Sequence, residues 1–440
     1  MGNTKKILCL MTAAFFIVTF MPLICHADSA DVLPKGVFNF DATYYHYFDI
    51  KKRYDPDGDT EDLAVDFNGD LNSNVFPDLS ALDPLVGGNA TIGQSVVNFT
   101  YYYNWYEFSF NYGLTDKLSL GVLVPFNHTK NKVKAHLDNS TANVGKNPCF
   151  GDQSNPVCLA VLDPDTGLRL NQLQLIPLRP LFPGAPEGIP LNTEDVQDLL
   201  GKGLDVNNDG IIDIEGFGYE RFETWTGNMI GDIEVGAKYQ FFKNANWRFA
   251  CAGGVRLPNG TVDDVDNLAD LGSGDGQTDI LLRLYADYIG IENLLLNATI
   301  YYEIQLPDEE ELRVLLDVNR PLTRDKENVD RNLGDIFELQ LTANYSFTNE
   351  ISGGLTYIYS TKAKDHVSGN KGFAYSSIED ETDATSHMIL VTMGYSFVQK
   401  FIDKKFPIPI YANVTYRNRF AGTNNVTRSQ YVSFNLGTYF

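Results

Sequence analysis

Residues 334–348, GDIFELQLTANYSFT, alternate without a lapse. Phe337, Leu339, Leu341, Ala343, Tyr345 and Phe347 fall on one side, and Glu338, Gln340, Thr342, Asn344 and Ser346 on the other. Successive side chains of a strand point to opposite faces, so this stretch is a strand between an apolar and a polar environment. The pattern recurs along the chain. Ile233, Val235, Ala237, Tyr239 and Phe241 oppose Asp232, Glu234, Lys238 and Gln240. Leu296, Ala298, Ile300 and Tyr302 oppose Asn297, Thr299, Tyr301 and Glu303, and Ile410, Ala412, Val414 and Tyr416 oppose Tyr411, Asn413, Thr415 and Arg417.

A soluble sandwich also alternates, but two features point elsewhere. The first is length. Twelve segments are predicted, at 36–50, 95–113, 117–135, 230–242, 246–258, 276–289, 293–305, 334–348, 351–366, 384–399, 407–420 and 428–440. They exceed the about 5–6 residues usual in globular sheets and can cross a bilayer while tilted. The second is rhythm. Tight turns at Leu114–Asp116, Lys243–Ala245, Gly290–Glu292 and Asn349–Glu350 alternate with long polar loops, as in outer-membrane barrels. A bilayer admits only helices or closed sheets, so the fold expected is an all-β transmembrane antiparallel barrel of about 12 strands. It spans 28–440, contacts outer-membrane lipid, and carries large external insertions at 51–94 and 136–229. The chain ends SFNLGTYF, with Val432, Phe434, Leu436 and Phe440 on one face. The terminal Phe440 resembles the signal read by the outer-membrane insertion machinery, an expected partner.

The N-terminus agrees with export. Lys5 and Lys6 precede an apolar run from Ile7 to Ile24, followed by Cys25-His26-Ala27, which predicts a signal peptide over 1–27 cleaved after Ala27. The alternative is an uncleaved anchor, since the run is nearly long enough to span. Cleavage removes two lysines and no acids, so a net charge of −23 becomes −25. That acidity argues against nucleic acid as a partner. In an oxidising compartment Cys149 and Cys158 are expected to pair, leaving Cys251 alone on a strand.

Three stretches carry a resemblance. FNYGLTDKLSLGVLVPF (110–126) is a hairpin followed by Pro125. GDIEVGAKYQFF (231–242) and VRLPNGTVDDVDNLADLGSG (255–274) pair Gly-Asp-x-x-x-Gly-Ala-Lys-Tyr with a later Leu-Pro-x-Gly and Leu-Gly-Ser-Gly. Together they resemble the outer-membrane family named for the meta pathway of phenol degradation. The resemblance covers the core from about residue 95 to the C-terminus and omits both insertions. It implies an outer-membrane barrel and a transport role beside pathways for aromatic compounds.

By alternation the lumen should receive Glu234, Lys238, Arg248, Arg256, Arg283, Asp287, Glu303, Glu338, Arg417 and Arg419. These form either a polar eyelet that selects solutes or interior salt bridges that fill the barrel; a barrel of this size allows both. In VVNFTYYYNWYEF (96–108), Phe99, Tyr101, Tyr103 and Trp105 oppose Phe108, Phe110 and Tyr112. The first set could line an aromatic cleft, form an interfacial girdle, or wall off a folded loop.

LDVNNDGIID (204–213) opens like a calcium loop. Asp205, Asn207 and Asp209 offer hard oxygens at positions one, three and five, Gly210 the turn, and Asp213 position nine. Glu215 stands one place early and Gly216 occupies position twelve. A structural Ca2+ staple in an external loop is the expectation, against a solvated Asx-rich turn. A helix over 193–200 should lead into it. Poorer acidic sets lie at Asp55, Asp57 and Asp59, at Asp66, Asn68 and Asp70, and at Asp263, Asp264 and Asp266. Hydrolase and phosphate-loop motifs are absent, and His46, His128, His136, His366 and His387 are scattered, so no enzyme is expected. The function expected is passive uptake of small molecules, aromatic or hydrophobic ones through the resemblance. The alternative is a surface-binding or scaffold protein with a filled barrel and calcium-stapled loops.

Overall fold

The computed structural model describes residues 29–440; the signal segment expected over 1–27 lies outside them. Among the described residues twelve strands close into one antiparallel barrel. They are β1 (Phe38–Tyr47), β2 (Thr91–Thr115), β3 (Leu118–Asp138), β4 (Ile233–Lys243), β5 (Trp247–Leu257), β6 (Asp279–Ile291), β7 (Leu294–Gln305), β8 (Ile336–Ser346), β9 (Ile351–Lys362), β10 (Ala384–Ser396), β11 (Ile410–Gly422) and β12 (Gln430–Tyr439). Each predicted segment overlaps one of them. Each strand pairs with its sequence neighbour, and β1 closes the ring by pairing with both β12 (Ala42 opposite Leu436) and β2 (Ala42 opposite Phe108). Closure leaves no unpaired edge, which is what hydrocarbon demands of a sheet.

The alternation sorts the two faces. Phe110, Leu284 and Leu436 point outward and are 53%, 56% and 56% exposed, while their chain neighbours Asn111, Arg283 and Asn435 are buried inside. Every strand contributes such outward apolar residues, and a belt of that extent fits lipid rather than water. Cys251 belongs to this outer face, opposite Tyr239 and Leu284.

Short connections gather at one end with Phe440, and long loops at the other, as in barrels whose turns face the periplasm. Turns fall slightly off the expected residues: Thr115 pairs with Leu118, so Leu114 and Thr115 stay in the strand and Asp116 and Lys117 make that connection. Ile291 pairs with Leu294, so Glu292 and Asn293 make the connection and Gly290 stays in the strand. Asn293 takes φ 62°, a left-handed conformation that asparagine tolerates.

β2 and β3, at 25 and 21 residues, outrun the predicted 95–113 and 117–135 and stay paired up to Gln94 opposite Asp138. At ~3.3 Å per residue β2 spans roughly 80 Å, so the ribbon rises well above a bilayer and carries the external loops. There the helix Thr193–Leu200 starts at Asn192, whose side chain accepts from Asp195 N while Asp195 accepts from Asn192 N. This reciprocal cap satisfies two orphan amides. Leu199 packs with Leu71, Leu79, Leu191 and Leu204 in a separate outer core.

β4 is preceded by a segment, Trp225–Ile230, that also pairs with β3, but one residue out of step. The break falls at Gly231–Asp232, beside Pro125, which has no amide to give to the ladder. Gly231 N donates instead to Pro125 O at 3.1 Å.

Candidate functional site

The barrel interior is built on rows of inward residues set by register. Glu234 lies opposite Arg256, and Arg256 opposite Asp279. Arg256 donates to Glu234 (2.9 Å), Asp279 (3.1 Å) and Glu303 (2.7 Å), and Tyr301 donates to Glu303. Below this cluster the Arg283 guanidinium stands 4.6 Å from the centre of the Tyr301 ring, and Lys238 Nζ 4.4 Å from that of Tyr285. Lower still, Arg248 pairs with Asp287 at 2.8 Å, and Asp287 also accepts from Asn297. Glu338 accepts from Gln340. Arg417 and Arg419 stand on the opposite wall, on β11. The ten charged residues expected in the lumen therefore all turn inward, but they divide. Arg256 with Glu234 and Glu303, and Arg248 with Asp287, form ion pairs across β4–β7, whereas Arg417 and Arg419 meet no carboxylate within 4 Å among the described residues.

Two segments enter the barrel that alternation could not reveal. At the short-turn end, residues 29–35 run inside against β3–β6. Ser29 Oγ and Ala30 N donate to Asp287 (2.9 and 3.0 Å), Lys238 Nζ donates to Ser29 O (2.6 Å), and Leu33 N donates to Ser119 Oγ (2.9 Å). Ala30 packs on Ala250 and Tyr285. At the long-loop end, the 258–278 connection folds inward. Asp232, freed by the β4 break, accepts from Gly260 N (2.7 Å), and Ser273 Oγ donates to Ile230 O (2.8 Å). Burial pushes Asp263 in this loop up to about 6, and burial with the neighbouring Asp263 and Asp264 charges pushes Asp270 up to about 7.

What remains open is a cavity of about 970 Å³ along β1, β2 and β8–β12, reaching from Ser29 and Phe440 to Arg417 and Tyr431. Glu107 lines it, held by Tyr45 OH (2.8 Å) and Trp105 Nε1 (3.2 Å).

Above it Phe99, Tyr101, Tyr103 and Trp105 point inward and pack under Leu63, Ala64, Phe222, Ala269 and Leu271. Of the three readings of this ladder, the wall against folded loops is the one observed. Outside it, a second cavity of about 150 Å³ opens among the external loops, lined by Phe67, Val75, Phe76, Val97, Leu137 and Phe222. Arg313 closes its floor. It is buried over the Tyr219 ring and donates to the carbonyls of Phe217, Gly218, Val265 and Thr323, so it ties three external loops together.

The 205–215 loop lies in this outer layer. Asp205 accepts from Asp209 N and Gly210 N (3.2 and 2.8 Å), Asn207 from Asp209 N (3.1 Å), and Asp213 from Val206 N (2.8 Å). Glu215 points to solvent near Arg324. The loop oxygens thus cap amides of their own loop, and among the described residues no three His, Cys, Asp or Glu side chains converge as a metal site. Of the poorer sets, Asp66 is buried against Arg53, and Asp266 pairs with Arg313 and Lys326 (2.6 Å each). Cys149 and Cys158 are joined as a disulfide, with Cα atoms 5.2 Å apart.

No curated protein sequence matches the chain. Among solved structures it is similar to an outer membrane channel from Pseudomonas putida F1 (10% identity, 95% of this chain and 100% of that one, TM-score 0.49). It is also similar to the Ralstonia pickettii toluene transporter TbuX (10% identity, 93% and 90%, TM-score 0.34). The family model described as "Putative MetA-pathway of phenol degradation" matches residues 203–428. That match takes in β4 to β11 and just over half of the 440-residue chain, and the protein therefore belongs to this family of outer-membrane barrels.

Proposed function

We propose that the protein is a passive outer-membrane channel for small aromatic or otherwise hydrophobic compounds. One observation carries the reading: a single aromatic cluster joins the two cavities. Val97 and Phe222 line the outer apolar pocket and pack with Phe99, Tyr101, Tyr103 and Trp105, and Tyr431 of that same cluster lines the inner cavity. A solute leaving water first meets the apolar side chains of the outer pocket, then the packed ring cluster between the two cavities, and only afterwards the polar barrel wall. Apolar pockets with few polar groups suit such ligands. Diffusion down this graded path needs no covalent step and no energy source.

The reading of the barrel as a filled anchor has its own support in the inserted segment 29–35 and the Arg256 ion cluster. Both occupy the β3–β7 side, and the cavity along β8–β12 favours the channel. Uptake of radiolabelled phenol by cells carrying the protein in a lipopolysaccharide-covered outer membrane tests it. Wild type should accelerate uptake, and Tyr101→Ala with Phe222→Ala should slow it several-fold. Uptake equal to that of cells without the protein would sink the proposal.

A further inference from the structure

Arg417 and Arg419 are 4% and 2% exposed, two residues apart on the same inward face of β11. Arg417 donates to Ser429 Oγ (2.8 Å) and touches Met388 Sδ (3.5 Å), and Arg419 donates to the Thr427 carbonyl and hydroxyl oxygens (3.2 Å each). The Nε of each, and Ser386 Oγ beside them, are buried with no partner among the described residues. A guanidinium cannot shed its proton to relieve burial. Two unpaired cations sealed side by side therefore call for an anion.

Arg417 reaches the 970 Å³ cavity, and around it the wall turns apolar: Ile358, Met388, Leu390 and Tyr431 line the same space. The Tyr431 ring lies 4.4 Å from the guanidinium. A planar fork of donors matches a carboxylate, and the ring and aliphatic neighbours match an aromatic body. We infer that Arg417, backed by Arg419, is an anion-binding subsite that takes the carboxylate of a small aromatic acid. The inference rests on the channel reading for its route of access and narrows its substrate class.

Calorimetric titration of the refolded protein in detergent tests it, with benzoate, the uncharged benzyl alcohol, and sodium chloride as probes. Benzoate should bind at least about tenfold more tightly than benzyl alcohol, and Arg417→Gln should weaken benzoate about tenfold or more while barely moving benzyl alcohol. Because Arg417→Gln could misfold, Ser429→Asp is the second variant. It places a carboxylate beside Arg417, so it should raise thermal stability and abolish benzoate binding. Equal affinity for the two aromatic probes, heat with chloride but none with benzoate, or benzoate binding unchanged in both variants would each overturn the subsite. Because this reads equilibrium binding, failure of phenol uptake with benzoate binding intact would reject the channel and leave the subsite standing.

Discussion

Arg256 on β5 and Glu303 on β7 meet at 2.7 Å across the intervening β6, inside the barrel wall. Arg256 is the shared cation of Glu234, Asp279 and Glu303, so its removal strands three buried carboxylates. Arg256→Ala should destabilise the barrel by about 3–5 kcal/mol, and Glu303→Gln in the same chain should recover part of that loss. Urea unfolding in bilayers of the single and double variants gives the comparison. A loss below about 1 kcal/mol for Arg256→Ala would show the cluster to be solvated.

The lipid face makes the opposite demand on charge. Leu284→Arg or Leu436→Arg, on the outward belt, should cost about 2–4 kcal/mol, whereas Phe347→Arg at the short-turn end should cost only about 0–1 kcal/mol. The same unfolding assay reads all three. Equal costs would place the belt elsewhere along the strands.

The inward 258–278 loop should respond to pH. Asp263 and Asp270 have folded values raised to about 6 and about 7, so the docked loop binds more protons than the released one. Its docking is strongest below the ordinary carboxylate range of about 3.9 and weakens as pH rises through 6 to 7. Hydrogen exchange of amides 258–278, corrected for intrinsic rates, should quicken between pH 5 and pH 8. Asp263→Asn with Asp270→Asn should flatten that dependence; an unchanged slope in the double variant would assign it to other groups.

The barrel was legible because a membrane strand obeys one rule over its whole length. Phe337 to Phe347 and Glu338 to Ser346 face lipid and lumen by parity alone, and the same parity put Arg256 and Glu303 inside. Parity says nothing of partners along or across the wall, so the three-carboxylate cluster and the unpaired Arg417–Arg419 couple were not visible in it. Nor was the insertion of residues 29–35. These carry no alternation, and their hold on the wall combines backbone groups of Ser29, Ala30 and Leu33 with the Ser29 hydroxyl on Asp287 and the Asp31 carboxylate on Arg248 at 2.8 Å, partners that lie far away in the sequence. The break in β4 left one trace, Pro125, whose missing donor explains the bulge at Gly231–Asp232. Asp205, Asn207 and Asp209 show why the sequence left two readings of that loop: the residue types that ligate calcium are also those that cap tight turns, and oxygens that accept from the loop's own amides are common to both.

If solutes pass through the barrel, residues 29–35 narrow their path from the short-turn end. Single-channel recording in planar bilayers tests it most directly, comparing the chain from residue 29 with one from residue 36. Small discrete currents are expected from the first and currents several-fold larger from the second. Silence from both, with correctly folded protein in the membrane, would contradict it.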